Sequence, residues 1–360
     1  MIVTKKSTTA PDAPQVRRTR AASDRDLGNL FKQLASLLRA GVSPADAHER
    51  VGSRIRHRAL REACAEIAKA TAEGKPTSET MARYVDLFPP HAVGMVRAAE
   101  YGGFLPEGYE LLSQQFNDRA SMNAWFYFVR WISYQGLIGV AIVVAAMSAF
   151  WKAFHAGGNF IGFFVQDLAS RTLPIVLVLA VFILLVRFLL HSHVTLALRH
   201  RLVLRAPYGF GARARAEALH VFLWTLRNLA HSGIPPKTAW QLAAAATPNY
   251  DYARRLYAAA EGPREAEPIS EFVVRSELFD ADYADMLSIA QQTGDVPGTL
   301  DRMLEITGEE YAAGKTKVRF GLGSLGCLMM ALTGGAMLIY FFWQYYGRVF
   351  EEVDKYMNSP

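Results

Sequence analysis

The sequence predicts an all-α membrane protein: two homologous cytoplasmic helical bundles, about six helices each, joined to three transmembrane helices. Three observations predict it. A helical unit occurs twice in register, three long apolar segments interrupt otherwise polar stretches, and apolar residues recur with helical period while no alternating, strand-like run competes.

The duplication sets the order of elements. Phe31–Ala47 aligns without a gap to Leu223–Ala239, pairing Gly41 with Gly233 and Pro44 with Pro236. Ala99–Leu105 aligns to Ala290–Val296, pairing Glu100 with Gln291, Gly103 with Gly294 and Leu105 with Val296. In the first copy Leu27, Leu30, Phe31, Leu34, Leu37 and Leu38 form one helical face. Gly41 follows at the left-handed position that ends a helix, and Ser43-Pro44 restarts one as N-cap and first turn. Further helices are expected around Leu60–Ala68, Thr80–Tyr84 and Pro90–Tyr101, with a break at Gly102-Gly103 and a last helix running from Leu105 into the first apolar segment. The second copy repeats this: a helix ending at His231, the Gly233 stop, a restart at Pro235-Pro236, then Tyr250–Ala260, Ser270–Val274 and Asp280–Thr293. Gly294 breaks the chain, and a helix from Thr299 runs toward the last apolar segment.

Composition narrows the class. Hydrophobic residues make up 51% of the 360, and mean hydropathy is +0.08, which suits soluble modules tethered by a few helices. The net charge of +6 is concentrated beside the apolar segments, which points to membrane orientation rather than nucleic acid. Cys64 and Cys327 form no CxxC pair and no disulfide framework. Residues 1–25 are polar and basic without an apolar core, so a disordered tail is expected and no signal peptide; a lipid or partner contact for its charges stays open.

The apolar segments 126–154, 172–191 and 318–346 each meet the roughly 20-residue length of a span. Arg119 and Arg130 precede the first, Arg199, Arg201 and Arg205 follow the second, and Lys315, Lys317 and Arg319 precede the third. These flanks place the N-terminus and the bundles 26–125 and 192–317 in the cytoplasm, with the short loop 155–171 and the tail 347–360 in the periplasm. Each bundle feeds a span that leaves the cytoplasm, so two bundles on one side need one return helix.

Motifs of catalysis fail on context. Gly321–Gly326 formally matches the dinucleotide pattern, but it lies in an apolar span with no strand before it. Close helix packing through Gly323, Gly326, Cys327, Ala331 and Gly335 is the better reading. There is no Walker A run and no HExxH, and His191 and His193 sit too close in sequence to share a helix face. The spans hold no Asp or Glu, which argues against an intramembrane peptidase or a carboxylate proton relay. No catalytic, cofactor or metal site is expected. Asp301, Glu305 and Glu309 share one helix face. They read as a solvated stripe, a contact for a basic partner, or a weak Ca²⁺ site short of ligands. Glu100 reads as a helix-end polar residue, or as a buried cap or partner contact that differs from its counterpart Gln291.

Two signatures carry a resemblance. One is Leu38-Arg-Ala-Gly41-Val-Ser-Pro44 with Leu229-Ala-His-Ser-Gly233-Ile-Pro-Pro236; the other is Ala99-Glu100-Tyr-Gly102-Gly103-Phe-Leu105 with Ala290-Gln291-Gln-Thr293-Gly294-Asp-Val296. Twice in register with these spans, they resemble the F family of type II secretion, the inner-membrane platform proteins of secretion and type IV pilus machines. The resemblance implies a non-enzymatic platform whose cytoplasmic modules engage a hexameric assembly ATPase. It implies pilin or pseudopilin subunits, other inner-membrane machine components, lipid and further copies of the chain as partners. The leading Gly of the second signature is Ala99 and Ala290, its Glu is kept only at Glu100, and its Leu becomes Val296, so the chain resembles a divergent member. Rival readings are an oligomeric solute transporter and a membrane-anchored signalling adaptor.

Overall fold

Ser23 opens the first helix by accepting the Asp26 backbone N–H at 3.1 Å, with Asp24 and Asp26 in the first turn where the helix dipole favours negative charge. The computed structural model describes residues 21–156, 159–174, 177–178, 181, 210–261 and 267–357. The described residues are helical with no strand. Most of the basic tail, most of the expected return span with His191 and His193, and the Gly262–Pro263 turn lie outside them.

The first repeat comprises α1 (Asp24–Arg39), α2 (Pro44–Arg54), α3 (Arg58–Ala72), α4 (Thr77–Met81), α5 (Pro90–Gly102) and the start of α6 (Leu105–Ala156). Then come α7 (Phe160–Asp167) and a π-helical turn, Leu168–Thr172. The second repeat comprises α8 (Phe210–His231), α9 (Pro236–Ala246), α10 (Tyr250–Ala259), α11 (Ile269–Ser276), α12 (Ala281–Thr293) and the start of α13 (Val296–Met357). The order is the same in both. Gly41 and Gly233 take φ of +80° and +73°, and Gly103 and Gly294 take +75° and +80°. At these four helix ends a Cβ would be strained, which is why glycine recurs there.

Boundaries differ from expectation in three places. Helix α4 starts at Thr77 rather than Thr80, because the Glu100 carboxylate accepts the N–H groups of its first two residues. Helix α13 starts at Val296 rather than Thr299, because Asp295 Oδ1 accepts the Gly298 N–H at 3.1 Å and caps it directly after Gly294. The connection 155–171 is largely helical, opened by Asn159, whose side chain accepts the Ile161 N–H.

The helices form two compact units. One holds the described parts of 1–122 and 210–315, the other those of 123–202 and 316–360. In the first unit each repeat has its own aromatic centre. Phe31 stacks on Tyr109 and Phe116, with centroids 5.6 and 5.7 Å apart. Trp240 meets Phe222 edge-on at 4.7 Å and Phe272 at 5.4 Å, and its Nε1–H donates to the Leu256 carbonyl at 2.6 Å. Buried aromatics of this size dominate core energetics, and their polar tips need partners.

The two repeats do not stand apart as separate bundles. Val221 and Ala246 of the second repeat belong to the apolar cluster of the first, while Ala98, Ala99 and Phe104 of the first belong to that of the second. The interlock makes them one body.

In the second unit Asp167 is buried and accepts from Ser148 Oγ and Lys152 Nζ, tying α6 to the end of α7. The long helices α6 and α13 cover the expected first and third spans, 126–154 and 318–346. Among the described residues no helix is long and apolar enough to cross a membrane. Large apolar side chains there, among them Phe150, Phe154, Leu338, Ile339, Phe342 and Trp343, are exposed, while Ala145, Ala149 and Val318 are buried. Cα packing around Gly323, Gly326 and Gly335 is open, with nothing within 4 Å of a Cβ at any of them, and Cys327 and Ala331 are exposed.

Candidate functional site

The architecture shared by the two repeats converges on the helix break after α5 and α12. In the first repeat Glu100, one turn before Gly103, accepts the Thr77 N–H at 2.5 Å and the Ser78 N–H at 3.1 Å. These are orphan donors at the start of α4, where a carboxylate also meets the positive end of the helix dipole. In the second repeat Gln291 Oε1 accepts the Ser270 hydroxyl at 2.8 Å at the start of α11. Ser270 is the counterpart of Ser78 when Pro76 is set on Pro268. Both side chains therefore fasten the same joint. Of the readings open for Glu100, the geometry displays a cap.

The first joint sits on a polar network that sequence inspection did not find. His48 is buried, its Nδ1 is 2.7 Å from the Pro44 carbonyl, and its Nε2 is 3.5 Å from the Tyr109 hydroxyl. Burial pushes the His48 pKa down, against a raising effect of the Pro44 hydrogen bond and the Glu100 charge. Burial pushes the Tyr109 phenol well above its ordinary value, helped by Glu100 and Cys64. Burial alone pushes the Cys64 thiol up to about 12, so this thiol is a poor nucleophile. In the second repeat the counterparts are Trp240 for His48 and Leu300 for Tyr109, both buried among apolar side chains. A Pro-x-x-x-His spacing, giving an i, i+4 side chain to a carbonyl, was the one local signal in the sequence.

The joint between repeats is built by α5. Its Gly94 lies so close to α9 that an added Cβ would fall 2.1 Å from the Ala245 carbonyl oxygen. Thr225 Oγ1 lies 3.7 Å from Met95 Sδ, and the Ser232 hydroxyl donates to the Gly102 carbonyl at 2.7 Å. Phe104 meets Trp224 edge-on at 5.7 Å. Arg119, expected only as a membrane-flanking cation, donates from Nη2 to Glu217 Oε1 at 3.3 Å, with Nη1 3.3 Å from His91 Nε2. The Tyr311 hydroxyl donates to Asp118 at 3.1 Å; burial, with the nearby Glu217 and Asp118 carboxylates, pushes its pKa up.

The acidic stripe is split by the fold. Asp301 accepts from Arg227 Nε at 2.6 Å and lies 4.0 Å from His231 Nε2, inside its own repeat. Glu305 and Glu309 are exposed. Among the described residues no cluster of His, Cys, Asp and Glu could hold a metal ion. Leu105 and Val296 open α6 and α13 and pack partly buried against the clusters, while Pro44 and Pro236 open α2 and α9.

A duplicated six-helix unit whose two copies interlock through the helix before the Gly break defines a tandem-repeat helical scaffold. The model of the family described as Type II secretion system (T2SS), protein F, matches residues 30–150 and 222–346, more than half of the chain and once per repeat. The chain belongs to the type II secretion system protein F family. Similar proteins include the type II secretion system protein F of Vibrio cholerae serotype O1, 23% identical over 331 residues, covering 89% of this chain and 80% of that protein. The protein of the same name from Aeromonas hydrophila is 24% identical over 332 residues, covering 89% of this chain and 84% of its own length.

Proposed function

We propose that this chain is the inner-membrane platform of a type II secretion or type IV pilus machine. In this reading it couples a cytoplasmic assembly ATPase to the polymerisation of pilin or pseudopilin subunits, and it catalyses nothing itself. The observation that carries the proposal is the interlocked pair of family repeats, continuous through α6 and α13 with helices that carry large exposed apolar side chains. Exposed apolar surface on that scale calls for a membrane or protein partner. Spans at 126–154, 172–191 and 318–346 would supply both the lipid contact and a surface for hydrophobic pilin helices, with the basic flanks keeping both repeats in the cytoplasm. Glu305 and Glu309, exposed on α13, give a basic partner a place to dock.

The test is co-purification of the full chain with its cognate secretion ATPase from membranes in mild detergent. Retention of the ATPase on the tagged chain, lost when Glu305 and Glu309 are both changed to Lys, is the expected result. No association in wild-type membranes contradicts the reading.

A further inference from the structure

Set in register, the two repeats show that the interface holding them together has an unfilled counterpart at each end of the pair. Within the chain, α5 of the first repeat presents a face that seats on α8 and α9 of the second. The registers Gly41/Gly233 and Gly103/Gly294 carry every contact of that interface to an equivalent pair. The α5 face becomes the α12 face of the second repeat, and the α8–α9 face becomes the α1–α2 face of the first.

The equivalents match in charge. Phe104 against Trp224 becomes Asp295 against Lys32. Arg119 against Glu217 becomes Glu310 against Arg25, the same ion pair with its polarity reversed. Gly94 against Ala245 and Ala246 becomes Asp285 against Ser53 and Arg54. All six of these charged residues are exposed. Ala98, 0% exposed at the centre of the intrachain joint, is replaced by Ile289, 62% exposed. Beside Asp285, where the Ala245 carbonyl would dock in the first repeat, an open groove of about 400 Å³ runs between α11 and α12.

We propose that these two faces bind each other across chains, so that α12 of one copy seats on α1 and α2 of the next, head to tail. Charge complementarity and continuity with the intrachain joint select a second copy of this chain as the occupant. Asp285 stands where Gly94 allows the helices to touch, so the interchain joint is wider and more polar than the intrachain one. The reversed ion pair also sets the order. A wrong pairing would bring Arg119 to Arg25, or Glu310 to Glu217, and like charges at an interface are strongly disfavoured. A heterologous contact of this kind builds a ring where its rotation closes and an open array where it does not. The inference goes beyond the platform reading and does not depend on which ATPase is bound.

The experiment is cysteine cross-linking of the full chain in its native membrane, with Cys64→Ser and Cys327→Ser as background. Two differently tagged copies are co-expressed, one carrying Lys32→Cys and the other Asp295→Cys. The expected result, with a short bismaleimide to bridge the wider joint, is a cross-link joining the two tagged copies, with no 32–32 or 295–295 product. A Phe104→Cys/Trp224→Cys copy, cross-linked within itself, reports that the repeats are folded. In a second series Arg25→Glu or Glu310→Arg alone lowers the 32–295 product about five- to ten-fold, and the two together restore it. With the folding control positive, a same-site product, no 32–295 product, or no rescue by the double reversal each overturns the proposal.

Discussion

Arg119 of the first repeat and Glu217 of the second form an ion pair at 3.3 Å, with side chains only 29% and 13% exposed. It lies at the edge of the apolar interlock, so it is less screened than a surface pair and fixes the orientation in which the repeats meet. Arg119 also stacks over Phe116 at 5.8 Å, so its stem and its charge both belong to the joint.

A double-mutant cycle on Arg119→Ala and Glu217→Ala should therefore return a coupling energy of about 1 kcal/mol. Denaturant unfolding of the detergent-solubilised chain measures it. Additive losses would show that the pair does not hold the repeats.

Gly94→Ala adds a Cβ in the path of the Ala245 carbonyl, which is backbone and cannot rotate away. The helices must part, at a cost of about 1–3 kcal/mol. Asp285→Ala, the same structural position in the second repeat and exposed, should leave stability within about 0.5 kcal/mol of wild type. Thermal unfolding of the two variants side by side checks the contrast.

Glu100→Ala leaves the Thr77 and Ser78 N–H groups without their acceptor and should cost about 2 kcal/mol. Glu100→Gln keeps one acceptor oxygen, the state that Gln291 already has in the second repeat, and should cost about half as much. Amide hydrogen exchange at Thr77 and Ser78 locates the effect. Equal protection in all three proteins would contradict it.

Burial disfavours the charged form of His48, so its folded pKa lies below the ordinary 6.5 of the unfolded chain. The unfolded state then binds the proton first as pH falls, and stability contributed above 6.5 is lost progressively below it. His48→Phe should flatten the stability profile between about pH 7 and 5 relative to wild type, since a phenyl ring does not titrate. Profiles that fall in parallel would remove His48 from the account.

Cys64, with its thiol pushed up to about 12 in the core, should resist alkylation in the folded chain. In a Cys327→Ser background, iodoacetamide at mild alkaline pH should label Cys64 only after denaturant is added. Mass spectrometry of the labelled peptide decides it.

The helices were legible because their signals are local. The apolar stripe of α1, the Ser43 cap, Pro44 and Pro236 at first turns, and the glycines at helix ends all act within a few residues. The joint was not. Glu100 finds Thr77 from 23 residues away, across α4 and most of α5, and no local pattern links them. Arg119 reads as a flanking charge until Glu217 is brought beside it. His48 and Tyr109 are far apart in sequence and meet only in the packed repeat. Asp301 shares a face with Glu305 and Glu309 in sequence, yet Arg227 draws it into its own repeat. The asymmetry between Glu100 and Gln291 was visible as letters, while the shared fastening task was not.

The most direct test of the platform assignment is removal of this chain from its host, followed by complementation. Loss of pilus assembly or exoprotein secretion, with release of the assembly ATPase from the membrane fraction and recovery of both on re-expression, is the result the account predicts. Intact assembly and secretion, with the ATPase still membrane-bound, would contradict it.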